Sequence, residues 1–465
     1  MRGSNYSTTI HSHHTAMIYD LAIIGAGPAG ADTAEYAAAQ GLSVVLFEKN
    51  KVGGVCLNEG CIPTKTLLHS AHLYSQAQQG RKYAISASDV NLELSKLMAR
   101  KTKILKKLGA GIKMSLEQHG VRLVCEGARL LERRDEGFVL EAGGDTYMAR
   151  KVILATGSEA FIPPIEGLEE GSYWTAREAL EVKELPQRLV VIGAGVIGME
   201  FVSFFNTMGV EVSVVEMLPK ILGPVDGELS EELRQVFEKR GVKFYLSTRV
   251  EAIRDGIVYA RNEEGSIELQ ADRVLISVGR RPVMRDLGLE TLGVACARGA
   301  VVVDEYMQTN VPGLYAIGDL NGTSMLAHTA TREGVVAVDH IVGERPEPMN
   351  YRAIPGIVYT DPEIASVGKT EEELRAEGVE YRVHHVPMTL SGRFVIENEM
   401  GSGTCKLLTD TSGHLLGAHL LGNVSSEILT PAIMAVEQGM TLRELSRFVF
   451  PHPTIGEILR LAALH

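Results

Sequence analysis

Cysteine and tryptophan are scarce in this chain, with five cysteines and a single tryptophan, Trp174, among 465 residues. Cysteines at 56, 61, 125, 296 and 405 are too few for the dense stapling of a small secreted domain, and they favour a reducing, cytoplasmic setting in which a bridge is more often catalytic. Long apolar runs are also lacking. Nothing approaches the roughly 20 residues that a membrane-spanning helix needs, and the first residues hold no signal-peptide core. Positive charge is in deficit, 46 Lys and Arg against 58 Asp and Glu, which argues against nucleic acid or an anionic membrane as the main partner. What is present is an ordinary globular composition, 45% hydrophobic and 22% charged, long enough for roughly two to four domains. Residues 1–17, which include His11, His13 and His14, read as a leader or tag outside the fold.

Two of the cysteines stand close together, in Gly53-Gly54-Val55-Cys56-Leu57-Asn58-Glu59-Gly60-Cys61-Ile62-Pro63-Thr64-Lys65. On a regular helix residues five apart have Cα atoms about 8 to 9 Å apart, beyond the roughly 7 Å that a disulfide spans. A bridge here must bend the start of a helix. A cysteine near a helix N-terminus feels the positive end of the dipole, which favours thiolate and makes the pair reactive; standing just past a complete dinucleotide-binding unit, it reads as a redox-active disulfide beside a flavin. Two buried free thiols, or a structural staple, satisfy the same spacing.

A strand, glycine turn, helix, strand and acid precede the cysteines: Tyr19–Ile24, then Gly25-Ala26-Gly27-Pro28-Ala29-Gly30, an Ala-rich stretch, and Leu42–Phe47 ending at Glu48. Gly25 permits the tight turn, Gly27 lets backbone approach a pyrophosphate, Gly30 brings helix against strand, and Glu48 suits a ribose hydroxyl pair. The pattern recurs as Leu189–Ile192, Gly193-Ala194-Gly195-Val196-Ile197-Gly198 and Val212–Glu216, with eighteen residues from third glycine to acid in both copies. Repetition raises a weak motif to two dinucleotide sites, against two glycine-rich turns in a nucleotide-free protein. FAD in the first copy and a nicotinamide in the second is the economical assignment. Glu216 repels a 2′-phosphate, and Met217-Leu218-Pro219-Lys220 after it hold no Arg placed to receive one, so NAD is expected over NADP.

Further along, Leu94–Leu108 reads as a helix with a basic, solvated face. Strands are expected at Val121–Cys125, Gly137–Leu140 and Lys151–Ser158, the last ending in a Thr156-Gly157 turn able to approach a nucleotide. Arg273–Pro282 closes the second unit. Leu314–Ile317 then leads into Gly318-Asp319, where Asp319 either accepts ribityl hydroxyls or caps a helix. From Ala353 the pattern turns to hairpins and terminal helices, a separate α+β domain. Its tail holds His452 between Pro451 and Pro453 with Glu457 five residues on, which is either a proton shuttle or simply a turn.

Taken in order, Cys56–Lys65, Ala316-Ile317-Gly318-Asp319, Met325-Leu326-Ala327-His328, Tyr359-Thr360-Asp361-Pro362-Glu363 and His452-Pro453-Thr454 resemble the pyridine nucleotide-disulfide oxidoreductase family over about residues 18–460. Leu57-Asn58 between the cysteines and Ile62–Lys65 after them are most similar to its dihydrolipoamide dehydrogenase branch; glutathione reductases usually carry Val-Asn and Val-Pro-Lys-Lys there. No cysteine pair ends the chain, unlike mercuric and large thioredoxin reductases. Val55 stands where Thr is usual, Val283 where Asn is common, and Phe450-Pro451 where His-Ala commonly precedes the histidine; Asn423–Glu427 is also unusual for the branch.

The resemblance implies an α/β protein with two Rossmann-like domains, the second inserted in the first, and a C-terminal α+β dimerisation domain. The implied boundaries are 18–159 with 285–352 for FAD, 160–284 for NAD and 353–465 for the interface. It further implies a homodimer that oxidises protein-bound dihydrolipoamide and reduces NAD through FAD, with no metal, serving the lipoyl domains of a 2-oxo acid dehydrogenase or glycine cleavage complex. Carried over by position, Cys56 is the interchange thiol, Cys61 faces the flavin, Lys65 lies at the flavin edge paired with Glu200, and His452, held by Glu457, acts from the partner subunit across a cis bond to Pro453. Gly127, Thr156, Gly157, Asp319 and Ala327 join Gly25, Gly27, Gly30, Glu48 and Lys65 around FAD; Gly279 joins Gly193, Gly195, Gly198 and Glu216 around NAD. Rival readings are a reductase of another small disulfide and a docking subunit without turnover.

Overall fold

The computed structural model describes residues 17–169, 171–343, 347–399 and 401–465, so residues 1–16 of the expected leader lie outside the described residues. The chain forms two compact units, each assembled from three segments. The first takes 17–54, 110–158 and 282–348; the second takes 55–109, 159–281 and 349–465.

A seven-stranded sheet forms the centre of the first unit. Ile18–Ile24 runs parallel to Val44–Phe47 on one side and to Asp145–Leu154 on the other, and Arg122–Val124 extends the sheet beyond Val44–Phe47. Gly137–Ala142 joins antiparallel at the start of Asp145–Leu154, and Leu314–Ala316 joins parallel at its end. Sandwiched parallel strands need no polar alternation, and Leu21–Ile24 and Val44–Phe47 are buried throughout. Helix Pro28–Ala39 begins with proline where a missing N–H costs nothing and packs against helix Ala327–Ile341. Gly334 makes that approach possible, since a Cβ there would lie 1.8 Å from the Thr33 hydroxyl.

The second unit repeats the parallel theme in the order Lys243–Tyr245, Glu211–Val215, Arg188–Ile192, Arg273–Ile276. An antiparallel sheet of Arg249–Arg254, Ile257–Asn262 and Gly265–Gln270, absent from the expected elements, packs Val250, Val258, Ala260 and Leu269 onto Val190, Ile192 and Val215. Its strands alternate buried with exposed positions, the period-2 pattern of half-buried strands. Helices Cys61–Gln78 and Val196–Thr207 share one core: Leu67, Leu68 and Ala71 meet Phe201, Val202, Phe204 and Phe205. Val358, Ile364 and Leu421 of the C-terminal sheet belong to the same core. That sheet is antiparallel and five-stranded, in the order Gly356–Val358, Ile364–Gly368, Leu415–Leu421, Thr404–Thr409, Arg382–Pro387, and helices Thr430–Glu437 and Ile458–Leu464 cover it with Ala432, Ala435, Ile458 and Ala462. The architecture is therefore the expected one: two Rossmann-like sheets, the second carried on an insertion in the chain of the first, and a C-terminal α+β domain. One lysine of the expected solvated face departs from it. Lys101 is 1% exposed and donates to the Glu181 carboxylate at 2.6 Å.

Candidate active site

Cys56 and Cys61 are joined by a disulfide, with Cα atoms 4.7 Å apart. The bend that this spacing demands falls at Gly60: helix Gly54–Glu59 ends, and helix Cys61–Gln78 starts with Gly60 as its N-cap at φ −145° and ψ −109°. Cys61 thus occupies the first position of an 18-residue helix, where the unpaired N–H groups and the dipole favour a thiolate. Pro63 sits in the same first turn, where no intrahelical donor is lost.

One turn beyond Cys61, Lys65 Nζ lies 2.8 Å from both carboxylate oxygens of Glu200. The Glu200 side chain is 4% exposed, and it also accepts the Tyr359 backbone N–H at 3.2 Å; the Lys65 ammonium stands 4.5 Å from the Tyr359 ring centroid. Burial pushes the Tyr359 phenol pKa up. Two turns along the same helix from Lys65, His72 pairs with Asp361 at 3.4 Å. The Asp361 hydrogen bond raises the His72 pKa. Burial works to raise Asp361, but the hydrogen bonds from His72 and Asn423 hold its carboxyl below the ordinary value.

At the C-terminus His452 Nδ1 meets the Glu457 carboxylate at 3.0 and 3.2 Å, and the His452–Pro453 peptide is cis. Glu457 is held in turn by the Thr454 N–H of a capping box. With Nδ1 turned to the carboxylate, Nε2 is the nitrogen left for an incoming proton, and the His452 side chain is 75% exposed within the single chain.

The two glycine turns are built alike. Gly25 at φ +106° and Gly193 at φ +98° would each set a Cβ 2.3 Å from a carbonyl, of Ala155 and of Ser277. Gly30 and Gly198 would strike the carbonyls of Gly25 and Gly193. Glu48 accepts the N–H groups of Ala26 and Asn50, both at 2.8 Å; Glu216 accepts those of Ala194 and Leu218 at 2.7 and 2.8 Å. Each acid therefore fixes the middle of its own turn. In the first unit Thr156 donates to the Val283 carbonyl at 2.7 Å, Gly157 takes φ +68° with open space around it, and Ser158 donates to the Asp319 carboxylate. Asp319 lies inside the short 3-10 turn Gly318–Asn321 rather than at its cap, which is Ile317. Ala327 opens helix Ala327–Ile341, a Cβ placed on Gly127 would lie 3.4 Å from Lys49 Cβ, and in the second unit Gly279 has φ +115° and a Cβ there would meet nothing within 4 Å. Sequence reasoning missed Glu333. It is fully buried and accepts the Gly318 N–H at 2.6 Å and the Asn321 amide at 2.9 Å, pinning the turn that carries Asp319. A lone carboxylate on the apolar face of that helix is the signal that could have found it.

The sequence matches the pyridine nucleotide-disulphide oxidoreductase family over residues 19–334 and that family's dimerisation domain over residues 354–463. The chain belongs to the pyridine nucleotide-disulphide oxidoreductases. It is 38% identical to dihydrolipoyl dehydrogenase of Manduca sexta, covering 99% of this chain and 93% of that protein, and 38% identical to dihydrolipoyl dehydrogenase 3 of Pseudomonas aeruginosa, covering 96% and 97%. Among solved structures it is similar to LpdA of Mycobacterium tuberculosis, with TM-score 0.88, 27% identity and coverage of 96% and 98%. It is also similar to RclA of Escherichia coli, an HOCl-induced flavoprotein disulfide reductase, with TM-score 0.85, 27% identity and coverage of 96% and 99%.

As a pyridine nucleotide-disulphide oxidoreductase the chain fits FAD and NAD on its own geometry. A Cβ at Gly195 would meet no protein atom within 4 Å, and one at Gly27 only the Cα of Gly54, at 3.8 Å. Protein packing therefore does not account for these middle glycines, whereas a pyrophosphate lying against the helix N-terminus does. Lys220, the cation nearest in sequence after Glu216, is engaged with the Val225 carbonyl at 2.7 Å and with Glu372, in keeping with NAD rather than NADP. The departures from the branch have visible places. Val55 is 38% exposed, Val283 serves the Thr156-Gly157 turn through its backbone, and Asn423 donates to Asp361 at 2.8 Å. No helix among the described residues is long and apolar enough to cross a membrane.

Proposed function

We propose that the chain is a dihydrolipoyl dehydrogenase that oxidises a protein-bound dihydrolipoyl group and reduces NAD, working as a cytoplasmic homodimer on the lipoyl domains of a 2-oxo acid dehydrogenase or glycine cleavage complex. The observation that carries this is the Cys56–Cys61 disulfide at the start of the helix that also presents Lys65 to Glu200, in a chain with two glycine turns built alike.

His452, oriented through Nδ1 by Glu457, takes a proton at Nε2 from one substrate thiol. The resulting thiolate attacks the Cys56 sulfur; the Cys56–Cys61 bond breaks, a mixed disulfide forms, and Cys61 leaves as thiolate, its charge favoured at the helix N-terminus. The second substrate thiol then displaces Cys56 and its proton passes to the departing Cys56 sulfur, so the lipoyl group leaves as its disulfide and the enzyme keeps the electron pair as a Cys56 thiol and a Cys61 thiolate, with the first proton on His452. A bound FAD would supply the two-electron relay by which that pair reaches NAD as hydride, and the residues that would hold it are those of the first glycine turn with Glu48, Thr156, Gly157 and Asp319. Lys65 supplies a fixed positive charge at the flavin edge, and Glu200 holds it in place. The glycine turns, Glu48, Glu216, Thr156, Gly157 and Asp319 bind and orient the two dinucleotides, with Gly127, Ala327 and Gly279 as further backbone contacts.

The test is NADH formation by the purified flavoprotein from NAD and dihydrolipoamide, with NADP and reduced glutathione run alongside, in wild type and Cys56→Ser. NAD-selective turnover that falls by roughly a thousandfold or more in the variant supports the reading. Turnover of another thiol in preference to dihydrolipoamide assigns the chain to a different disulfide, a reading that the Val55 and Phe450-Pro451 departures keep in play.

A further inference from the structure

We propose that Tyr359 is a positioning residue for the Lys65 ammonium, acting through the face of its ring; this rests on the flavoprotein reading above, in which Lys65 lies at the flavin edge. Lys65 is one-third exposed and its long side chain has many rotamers, so a carboxylate on one side leaves it free to swing about that contact. The Tyr359 ring, 4.5 Å from Nζ, closes a second side without adding a competing charge. Burial, with help from the charges of Glu363 and Glu200, keeps the phenol protonated, so the ring acts through its quadrupole alone.

The ring is itself held from both flanks. The Tyr359 N–H donates to Glu200 at 3.2 Å, and two residues on, the Asp361 N–H donates to Ser203 Oγ at 3.2 Å, so the segment is tied to successive turns of helix Val196–Thr207. On its other flank the Asp361 carboxylate meets His72, which lies on the same helix as Lys65, and Asn423 at 2.8 Å, while Arg240 donates to the Asp361 carbonyl. Glu200 therefore positions both the cation and the aromatic residue that faces it. Removing the ring frees the ammonium while leaving every backbone bond of the strap in place.

The experiment compares Tyr359→Phe and Tyr359→Leu in the FAD-loaded enzyme, reading kcat, KM for dihydrolipoamide and the midpoint potential of the bound flavin. Phe keeps the ring and leaves all three unchanged. Leu lowers kcat by roughly 3- to 10-fold, the scale of a cation–π contact, and shifts the potential while KM stays constant. In a Lys65→Met background Tyr359→Leu has no further effect on kcat or potential. An equal effect in both backgrounds shows a purely structural role and overturns the proposal, as does a wild-type-like Leu variant. Pentafluorophenylalanine at position 359 covers the case in which Leu fails to fold: it keeps the shape and reverses the ring's charge distribution. It is expected to behave as Leu, and behaving as Phe overturns the proposal. The flavin potential needs no lipoyl substrate, so a wild type inactive on dihydrolipoamide counts against the proposed function alone.

Discussion

The Lys406 ammonium lies 3.0 Å from the Asp226 carboxylate with both side chains 1% exposed, and Glu228 and Glu371 reach the same ammonium at 2.9 and 2.5 Å. Asp226 caps helix Gly227–Lys239, Glu371 opens helix Glu371–Ala376, and Lys406 belongs to the fully buried strand Thr404–Thr409. One cation thus ties two helix starts to the C-terminal sheet.

Lys406→Met leaves a buried carboxylate without its partner and is expected to destabilise the protein by about 3 to 5 kcal/mol at pH 7, measured by urea unfolding. Burial works to raise the Asp226 carboxyl, but His419 and Lys406 hold it below its ordinary 3.8. The stability contributed by that depressed group is complete above pH 3.8 and is lost as pH falls through the folded value. The gap between wild type and Lys406→Met therefore narrows on acidification; a gap that stays constant from pH 7 down through that range contradicts the assignment.

His72 carries the opposite sign. Its hydrogen bond to Asp361 raises its pKa above 6.5, opposed by burial and by Arg240 and aided by the charges of Asp361 and Glu363. The pair contributes most below pH 6.5, and its contribution disappears as pH climbs through the raised value. An imidazole titration by NMR is expected to show a midpoint above 6.5 in wild type and a return toward that figure in Asp361→Asn.

The glycines separate packing from binding. Gly30→Ala drives a Cβ to 1.8 Å from the Gly25 carbonyl and is expected to abolish FAD retention and folding of the first unit. Gly195→Ala meets no protein atom, so its thermal melt should match wild type in the absence of nucleotide while NAD affinity falls by about tenfold or more. A Gly195→Ala protein that melts early refutes the claim that this glycine is there for the ligand.

These contrasts show why some of the site was legible in sequence and some was not. Gly25, Gly30, Gly193 and Gly198 are fixed by local geometry that recurs wherever strand, turn and helix meet, and Glu48 and Glu216 stand at a set interval from them. That the helix start must bend followed from the reach of a disulfide, whereas the place of the bend, Gly60, came from the structure. Pairing Lys65 with Glu200 required family resemblance, because the two lie 135 residues apart. Glu333 and Lys406 escaped notice because each is a charged residue among buried neighbours whose partners assemble only once the chain is folded. The strands between residues 249 and 270 carry the period-2 alternation of half-buried strands, a signal present in the sequence that a motif-led reading passes over.

The exposed His452 at the end of a dimerisation domain leads to a complementation prediction. Cys56→Ser and His452→Gln subunits are each expected to lose most activity. If the histidine acts across the two-fold interface, mixed dimers regain one intact site, and random exchange restores roughly a quarter of wild-type turnover. No recovery in verified mixed dimers places Cys56 and His452 of one subunit in the same site.

Whether Cys56–Cys61 carries electrons is decided by anaerobic titration of the FAD-loaded protein with dihydrolipoamide, counting the electrons taken up per subunit. Wild type is expected to accept one electron pair beyond the flavin's own, and Cys56→Ser to lose that pair. Uptake by the flavin alone in wild type, with the disulfide left intact, would contradict that role.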